Sequence, residues 1–324
     1  MDTLIIEKKN EVYITVDCDP NIQREISEFF TFYVPGYKFM PAFRNRMWDG
    51  KIRLYSQKTK EIYFGLYPYI IAFAKERGYH IVSGKDVEVD NKVNKEVVTK
   101  FSNSLGQKFE ARDYQIDAIY HSLKYNRALL LSPTASGKSF IIYSLIRYYS
   151  HLIKDEPNNR ILLIVPTTSL VEQMYSDFQS YGWNVKKNCH RLYSGYSNQT
   201  DKKVLISTWQ SLYKLPKKYF EQFGVVFGDE AHLFKSKSLT EIMTKLEDCK
   251  YRIGLTGTLD GAQTHKLVLE GLFGAVNKVT STRKLMDKQQ LSNLVVRCLI
   301  LKHTIENSKM VASGKYQDEI DYLV

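Results

Sequence analysis

Hydrophobic and polar positions alternate in two different ways along this chain, and the change falls near residue 100. Residues 4–7 and 12–16 alternate with a period of two, which predicts two short strands. Between residues 22 and 30 the apolar positions Ile22, Ile26, Phe29 and Phe30 recur at helical spacing. An aromatic and basic segment follows over 35–55, then a helix over 66–77. The polar stretch 84–100 marks a domain boundary. From about residue 110 short apolar runs alternate with helical segments, at 128–131, 161–165, 204–207, 225–227 and 253–255. Strands buried on both faces have this composition, because helices cover both sides of a parallel sheet. The expected fold is therefore α/β, a parallel sheet flanked by helices, preceded by a small α+β domain. No internal repeat or low-complexity tract interrupts it.

The boundaries follow as 1–100 for the small domain and 101–302 for the sheet domain, with a strand over 294–301. Residues 303–324 read as the start of a linker. Tyr316, Ile320 and Leu323 fall at helical spacing, yet the sequence ends at Val324 without a cap, so a further domain is expected beyond it.

Composition changes the picture in three respects. A chain of 324 residues, 44% hydrophobic and 25% charged, suits two compact domains. No apolar run approaches the roughly 18 residues that cross a bilayer, and the first ten residues lack a signal peptide's apolar stretch. A cytoplasmic protein without membrane contact is expected. Cys18, Cys189, Cys249 and Cys298 are far apart with no Cys-x-x-Cys pair, which fits reduced structural thiols better than a metal or disulfide framework. A net charge of +11 favours a polyanionic partner, since lysine and arginine displace counterions condensed on phosphates.

Candidate chemistry begins at Ser132-Pro-Thr-Ala-Ser-Gly-Lys-Ser139, between an apolar strand and an apolar-periodic helix. Small residues here, Ser132, Pro133, Thr134, Ala135, Ser136 and Gly137, let backbone N–H groups curl around phosphates, and the following helix aims its positive dipole end at them. Lys138 would reach the β- and γ-phosphates of ATP, and the Ser139 hydroxyl would ligate Mg²⁺. Ser132 stands where this loop pattern usually has its first glycine. The strand over 225–227 runs into Gly-Asp-Glu-Ala-His232, placing two acids at its carboxyl end. Ligands of open α/β sheets bind at that end. Asp229 would hold the Mg²⁺ shell, and Glu230 would orient and deprotonate the attacking water.

Asp-Glu-Ala-His together with this phosphate loop resembles motifs II and I of the superfamily 2 helicases. That resemblance implies a RecA-like fold with Lys138, Asp229, Glu230, His232, Thr256 and Thr258 as catalytic positions. Arg112-Asp-Tyr-Gln115 resembles the Q motif, in which Gln115 would read the adenine edge beside Arg112. Pro166-Thr167 resembles motif Ia, and Thr208-Trp-Gln-Ser211 resembles motif Ib. Thr256-Gly-Thr258 resembles motif III, which couples hydrolysis to movement. The segments Gly36-Tyr-Lys-Phe-Met-Pro-Ala-Phe-Arg-Asn-Arg-Met-Trp-Asp-Gly-Lys-Ile-Arg-Leu54 and Phe64-Gly-Leu66 are similar to a phage branch of recombination helicases. The implied activity is ATP-dependent remodelling of branched DNA, including forks and R-loops.

Two surfaces are expected to meet DNA. Motifs Ia and Ib, with Pro166, Thr167, Thr208, Trp209 and Gln210, would contact a strand backbone from the sheet face away from the nucleotide. Trp209 reads better as core than as a base-stacking residue. In the small domain, Asp49-Gly50 signals a tight turn and residues 51–55 alternate after it. Lys51, Arg53 and Tyr55 would share one face, joined by Lys38, Arg44 and Arg46, while Ile52 and Leu54 point inward. Phe29, Phe30, Phe32, Phe39 and Phe43 are expected to form that domain's core.

Superfamily 2 motors close the nucleotide site between two RecA-like domains, and no second sheet or paired-arginine motif follows Thr258. An arginine finger contributes about 10³–10⁵ in rate, so this chain alone is expected to bind ATP and DNA but to turn over poorly. Two other readings use the same residues: the motor subunit of a restriction enzyme, and a DNA-binding module with a vestigial nucleotide site. A P-loop kinase would leave Thr256-Gly-Thr258 and Thr208–Ser211 unexplained.

Overall fold

The computed structural model describes residues 2–259 and 261–292 together with Arg297. The strand expected over 294–301, the helical positions Tyr316 to Leu323 and Cys298 lie outside the described residues.

The first part of the chain builds a five-stranded sheet. β1 (Thr3–Lys8) and β2 (Tyr13–Asp17) pair antiparallel, and their alternation puts Leu4, Ile6, Ile14 and Val16 on one fully buried face. The helix Pro20–Phe29 starts at Asp19, whose carboxylate accepts from the Asn21 amide, and buries Ile22 and Ile26. β3 (Thr31–Tyr33) pairs antiparallel with β4 (Lys51–Arg53) in a separate ribbon, and residues 34–50 form a knuckle between them. β5 (Tyr55–Ser56) and β6 (Glu61–Tyr63) lead to a 3₁₀ turn, Phe64–Leu66, and the helix Tyr67–Arg77. Gly78, with φ 72°, ends that helix in the left-handed region that glycine tolerates best. β7 (His80–Ser83) then pairs parallel with β1, giving the order β5-β6-β2-β1-β7.

Three expectations for this part need correction. The alternation over 51–55 breaks at Leu54, where the chain leaves the β3–β4 ribbon and enters the larger sheet. Tyr55 is consequently 1% exposed and donates its hydroxyl to the Val16 carbonyl at 3.2 Å, so it shares no face with Lys51 and Arg53. The Asp49-Gly50 bend does not close a tight hairpin, because the partner of β4 lies back at residues 31–33. Glycine is still required there: φ is 79°, and an added Cβ would lie 2.3 Å from the Tyr37 ring. Of the five phenylalanines, Phe30 is core and Phe32 packs against it. Phe29 is half-exposed, lying 4.9 Å from Phe30, and Phe43 packs edge-on to Tyr37. Phe39 is 81% exposed.

After the helix Lys95–Asn103 the chain forms a parallel seven-stranded sheet. Its strands are β8 (Arg127–Leu131), β9 (Arg160–Val165), β10 (Cys189–Leu192), β11 (Val204–Thr208), β12 (Phe223–Asp229), β13 (Tyr251–Thr256) and β14 (Val276–Lys278). The spatial order is β10-β11-β9-β12-β13-β8-β14. All five expected strands are present. Both edge strands, β10 and β14, were not anticipated.

Successive residues of these strands face opposite layers. Ala128 and Leu130 pack with Leu163, Val165, Ile253 and the helices Asp113–Tyr125, Lys138–Leu152 and Thr168–Ser180. Leu129, Leu162, Ile164 and Val226 face the other way, into an apolar cluster that also contains the helices Lys237–Lys245 and Gln263–Phe273 and the core of the N-terminal sheet. That cluster does not break near residue 100.

Close contacts reinforce the seam. Gly65 lies against the helix Gln263–Phe273, where an added Cβ would sit 1.9 Å from the Glu270 carbonyl oxygen. Tyr69 donates its hydroxyl to the buried Glu270 carboxylate at 2.6 Å. Arg127, at the foot of β8, reaches Glu11 Oε2 at 2.9 Å and stacks over the Phe64 ring at 4.4 Å. Among the described residues one charge is wholly internal: Arg252 of β13 is 0% exposed and donates to the carbonyls of Met243, Leu246 and Leu272 at 2.7, 3.0 and 2.9 Å. Burial pulls its pKa down to about 10, so it remains a cation at neutral pH.

Candidate nucleotide site and nucleic-acid surfaces

β8, β12 and β13 run parallel and adjacent, so their carboxyl ends open on the same edge of the sheet. The phosphate loop leaves β8, the acids end β12, and Thr256 ends β13. The loop is folded against this edge. The Ser132 amide donates to the Thr256 carbonyl at 2.8 Å, and the Ser136 amide donates to the Pro133 carbonyl at 3.2 Å. Ala135 takes a left-handed φ of 63°, and Gly137 one of 79°. Gly137 opens the helix Lys138–Leu152, directing the N-terminal end of fifteen helical residues at the concavity of the loop.

The residues of the loop divide by exposure. Pro133, Thr134, Ala135, Gly137, Lys138 and Ser139 are open or half-open to solvent. Ser132 and Ser136 are buried, their hydroxyls 2.6 Å apart, and the Ser136 hydroxyl donates to the Pro133 carbonyl. The serine in place of the loop's first glycine therefore supports the loop from beneath, and its side chain does not line the open concavity.

Gln115 lies within this support. Its oxygen accepts from the Arg112 amide at 2.9 Å, and its nitrogen donates to the Ser136 carbonyl at 2.9 Å. Tyr114 donates to the same carbonyl at 3.2 Å and receives a hydrogen bond from Arg112 at 2.7 Å. An added Cβ at Gly137 would lie 2.3 Å from the Gln115 amide nitrogen. One end of the Gln115 amide thus fixes the Q-like segment's own turn at Arg112, and the other holds the phosphate loop at Ser136.

Across the site, Lys138 Nζ lies 3.4 Å from Glu230 Oε1, and His232 Nδ1 lies 3.4 Å from Glu230 Oε2. His232 Nδ1 is also 2.9 Å from the Thr256 hydroxyl, which donates to the Thr258 carbonyl at 2.9 Å. A Cβ built on Gly257 would stand 3.6 Å from Lys138 Nζ. Phosphate loop, acidic pair, histidine and Thr256-Gly-Thr258 therefore form one connected group. Glu230 itself has φ 50°, a left-handed conformation uncommon for a side-chain-bearing residue. It turns the chain between β12 and the 3₁₀ segment Ala231–Lys235 and keeps the carboxylate on the Lys138 side.

Asp229 is 3% exposed, and its Oδ1 has no hydrogen-bond partner. Burial, then the neighbouring Glu230 charge, pushes its pKa up to about 6, against a smaller opposing pull from Lys138. An orphaned, desolvated carboxylate oxygen fits a hard cation such as Mg²⁺, which binds through one or two protein oxygens and otherwise through phosphates and water. Among the described residues no cluster of three His, Cys, Asp or Glu side chains could hold a metal alone.

A folded-state pKa above the unfolded value contributes stability below the unfolded pKa, and this is lost as pH rises through about 6. A bound divalent cation would reverse that preference by favouring the carboxylate. Mg²⁺–nucleotide binding is therefore expected to release a proton below about pH 6 and to weaken as pH falls from 7 to 5. Calorimetry in two buffers of different ionisation enthalpy reads that proton, and pH-independent binding with no proton release would contradict the assignment.

Tyr181 was not anticipated. Its hydroxyl lies 2.9 Å from the Ser139 hydroxyl, and Asp177, raised by burial, interacts with the same serine. Tyr181 also packs edge-on against Phe140 at 5.6 Å and Phe109 at 5.8 Å. Asp177 lies in the last turn of the helix Thr168–Ser180 and Tyr181 caps it; both meet Ser139 only through the tertiary fold, so no local sequence signal marks them.

The Ia- and Ib-like segments lie at the carboxyl ends of β9 and β11, on the same edge as the phosphate loop and displaced along the strand order. This corrects their expected place on a face away from the nucleotide. Thr167 caps the helix Thr168–Ser180, accepting from the Leu170 amide at 3.3 Å. Thr208 is 4% exposed with its hydroxyl 3.2 Å from Ser211, so its side chain is turned inward. Trp209 packs against the core cluster while Gln210 and Thr167 remain exposed. In the N-terminal part, Arg53 is paired with Asp49 and Lys51 lies over the Tyr33 ring at 4.9 Å. Arg44 and Arg46 are exposed.

Comparison with known proteins adds relationships to this geometry. Residues 108–261 match the family model described as the res subunit of type III restriction enzymes. Residues 6–84 match the model for the N-terminal part of the DNA helicase UvsW. The ATP-dependent DNA helicase uvsW of Enterobacteria phage T4 is 33% identical over 318 residues, covering 95% of this chain and 62% of that protein. A DNA 3'-5' translocase, XPB2, of Sulfurisphaera tokodaii is 26% identical over 155 residues, 47% of this chain and 31% of its own length. Two crystal structures of the phage T4 helicase superpose. One has a TM-score of 0.77 at 32% identity and covers 86% of this chain and 100% of its own. The other has a TM-score of 0.78 at 30% identity and covers 100% of this chain and 64% of its own.

Proposed function

This chain belongs to the UvsW family of superfamily 2 helicases, and on that premise we propose that it is the ATP-binding part of a DNA remodelling motor. The observation that carries the reading is the connected group Lys138–Glu230–His232–Thr256 beneath the phosphate loop. The proposed domains are a DNA-gripping part over 1–100, the RecA-like motor part over 101–302 and a linker over 303–324.

In this reading the loop amides from Pro133 to Gly137 cradle phosphates, and Lys138 leaves Glu230 to neutralise the β- and γ-phosphoryl oxygens. Ser139 and Asp229 would hold Mg²⁺, which stabilises charge on the transferring phosphoryl group. Glu230 orients water and accepts its proton. His232 and Thr256 carry the change at Glu230 into the Thr256-Gly-Thr258 turn, and Gln115 holds the loop in register. Pro166, Thr167, Trp209 and Gln210 border the strand path, joined by Arg44, Arg46, Lys51 and Arg53 from the N-terminal part.

The motor motifs alone fit a restriction-enzyme subunit equally well, as the match over 108–261 illustrates. Residues 6–84 favour the helicase, because they match the helicase's N-terminal part and share a core with the motor sheet. Branched DNA, such as forks, recombination junctions and R-loops, is the proposed substrate, and host cytoplasm the proposed site of action. Among the described residues no helix is long and apolar enough to cross a membrane.

The test is DNA-stimulated ATP turnover by the full-length protein with fork conversion followed on labelled strands. Turnover that rises with forked DNA and requires Mg²⁺ supports the reading. Turnover indifferent to DNA, or DNA cleavage in place of strand exchange, would replace it with one of the other two readings.

A further inference from the structure

The knuckle formed by residues 34–50 has a rigid base and an apolar tip, and nothing in the proposed motor cycle uses the tip. In the base, Tyr37 stacks on Tyr33 at 4.7 Å and meets Phe43 edge-on at 4.8 Å. The Gly50 carbonyl accepts from the Val34 amide at 2.9 Å, and the Trp48 indole donates to the Lys51 carbonyl at 2.9 Å. The Met47 amide donates to the Ala42 carbonyl at 2.9 Å, closing the turn after the short helix Pro41–Arg44. Phe39 and Met47 of this segment are each 81% exposed, and Met40 is partly exposed.

An isolated exposed apolar side chain is ordinary. Two at this exposure on one braced turn, with Lys38, Arg44 and Arg46 interleaved and forming no ion pair among the described residues, is a pattern with a specific chemical match. Proteins that deform DNA insert Phe, Leu, Ile or Met between base steps while cations hold the flanking phosphates. The cations of this knuckle would hold phosphates and leave the apolar tip opposite the bases.

We propose that Phe39 and Met47 form a wedge that enters the base stack of DNA at a branch point, with Lys38, Arg44 and Arg46 gripping the adjoining phosphates. This rests on the DNA-motor reading above and adds to it the element that parts the bases. Fully paired duplex resists entry because every step is stacked. At a branch the terminal pair has lost one neighbour, so insertion there costs less and the wedge favours forks over uniform duplex.

The experiment places 2-aminopurine at the branch of a forked duplex and reads its fluorescence as the full-length protein binds without nucleotide. The wild-type protein should raise the signal as the base unstacks. Phe39→Ala/Met47→Ala should lower that rise by about tenfold while unbranched duplex still binds, because aromatic stacking, not phosphate contact, has been removed. Phe39→Leu should keep most of the signal. Arg44→Ala/Arg46→Ala should weaken fork and duplex binding alike and reduce the salt dependence. Both tip residues are exposed, so ATP turnover without DNA serves as the control for folding.

An undiminished fluorescence rise in the double alanine variant overturns the wedge, as does wild-type binding to forks with no rise. In both cases the DNA-motor reading stands. Failure of the wild-type protein to bind any DNA overturns both. Tip-dependent binding to anionic lipid vesicles in place of DNA would assign the knuckle to a membrane surface and likewise overturn the wedge.

Discussion

Glu230→Gln is expected to lower DNA-stimulated ATP turnover by about 10²–10⁴-fold while nucleotide binding persists. The carboxylate is within 3.4 Å of both Lys138 Nζ and His232 Nδ1, on a residue held at φ 50°. Glutamine keeps the shape and can occupy the same turn, but it cannot accept a proton from water at neutral pH. Binding should survive because Lys138, freed from its ion pair, is fully available to phosphate. Steady-state phosphate release compared with fluorescent-nucleotide binding separates the two effects. Turnover within a few fold of wild type would remove Glu230 from the base role and direct attention to Asp229. Loss of binding together with turnover would instead mean that the Lys138–Glu230 contact builds the loop.

Arg252→Ala should cost about 3–5 kcal/mol of stability, the range for disrupting a buried charged network. Its guanidinium donates to the carbonyls of Met243, Leu246 and Leu272, at the ends of the helices Lys237–Lys245 and Gln263–Phe273 beside β13. Alanine leaves those oxygens desolvated and opens a cavity in the layer between the sheet and the helix Gln263–Phe273. Arg252→Met tests the cause, since it restores volume without donors and should recover only part of the loss. Urea unfolding of the three proteins provides the comparison. A loss under about 1 kcal/mol for alanine would show that water or neighbouring amides replace the guanidinium.

The central sheet was legible because its strands are buried on both sides. Runs such as Leu129-Leu-Leu131 and Val225-Val-Phe227 then have no polar alternation to confuse with a helix. The edge strands were not: Cys189–Leu192 and Val276–Lys278 are short and mixed in polarity, and only pairing with β11 and β8 makes them strands. Phosphate loop and acidic pair were legible for a related reason, since each follows directly on such a run. What local sequence could not reveal was which side chains turn inward. Thr208 and Ser132 carry hydroxyls that would suit phosphates, yet each is spent on a neighbouring serine. Gln115 appears free to meet adenine until the loop is in place and both ends of its amide are occupied. Tyr55 and Phe39 exchanged expected places because strand switching at Leu54 and the braced turn at Tyr37 depend on contacts distant in sequence.

The seam at Gly65 has a consequence for how such motors diversify. Backbone meets backbone there, with the Glu270 carbonyl where any side chain at residue 65 would begin, and Tyr69 completes the fit by binding the Glu270 carboxylate. A lineage could not graft a foreign N-terminal part onto this motor by simple recombination near residue 100. The incoming piece would need a glycine at the same depth and a donor in Tyr69's position, matched to a helix encoded some two hundred residues later. Inheritance of the two parts as a pair is therefore favoured, and exchanges among relatives should break outside the interval from residue 64 to residue 276.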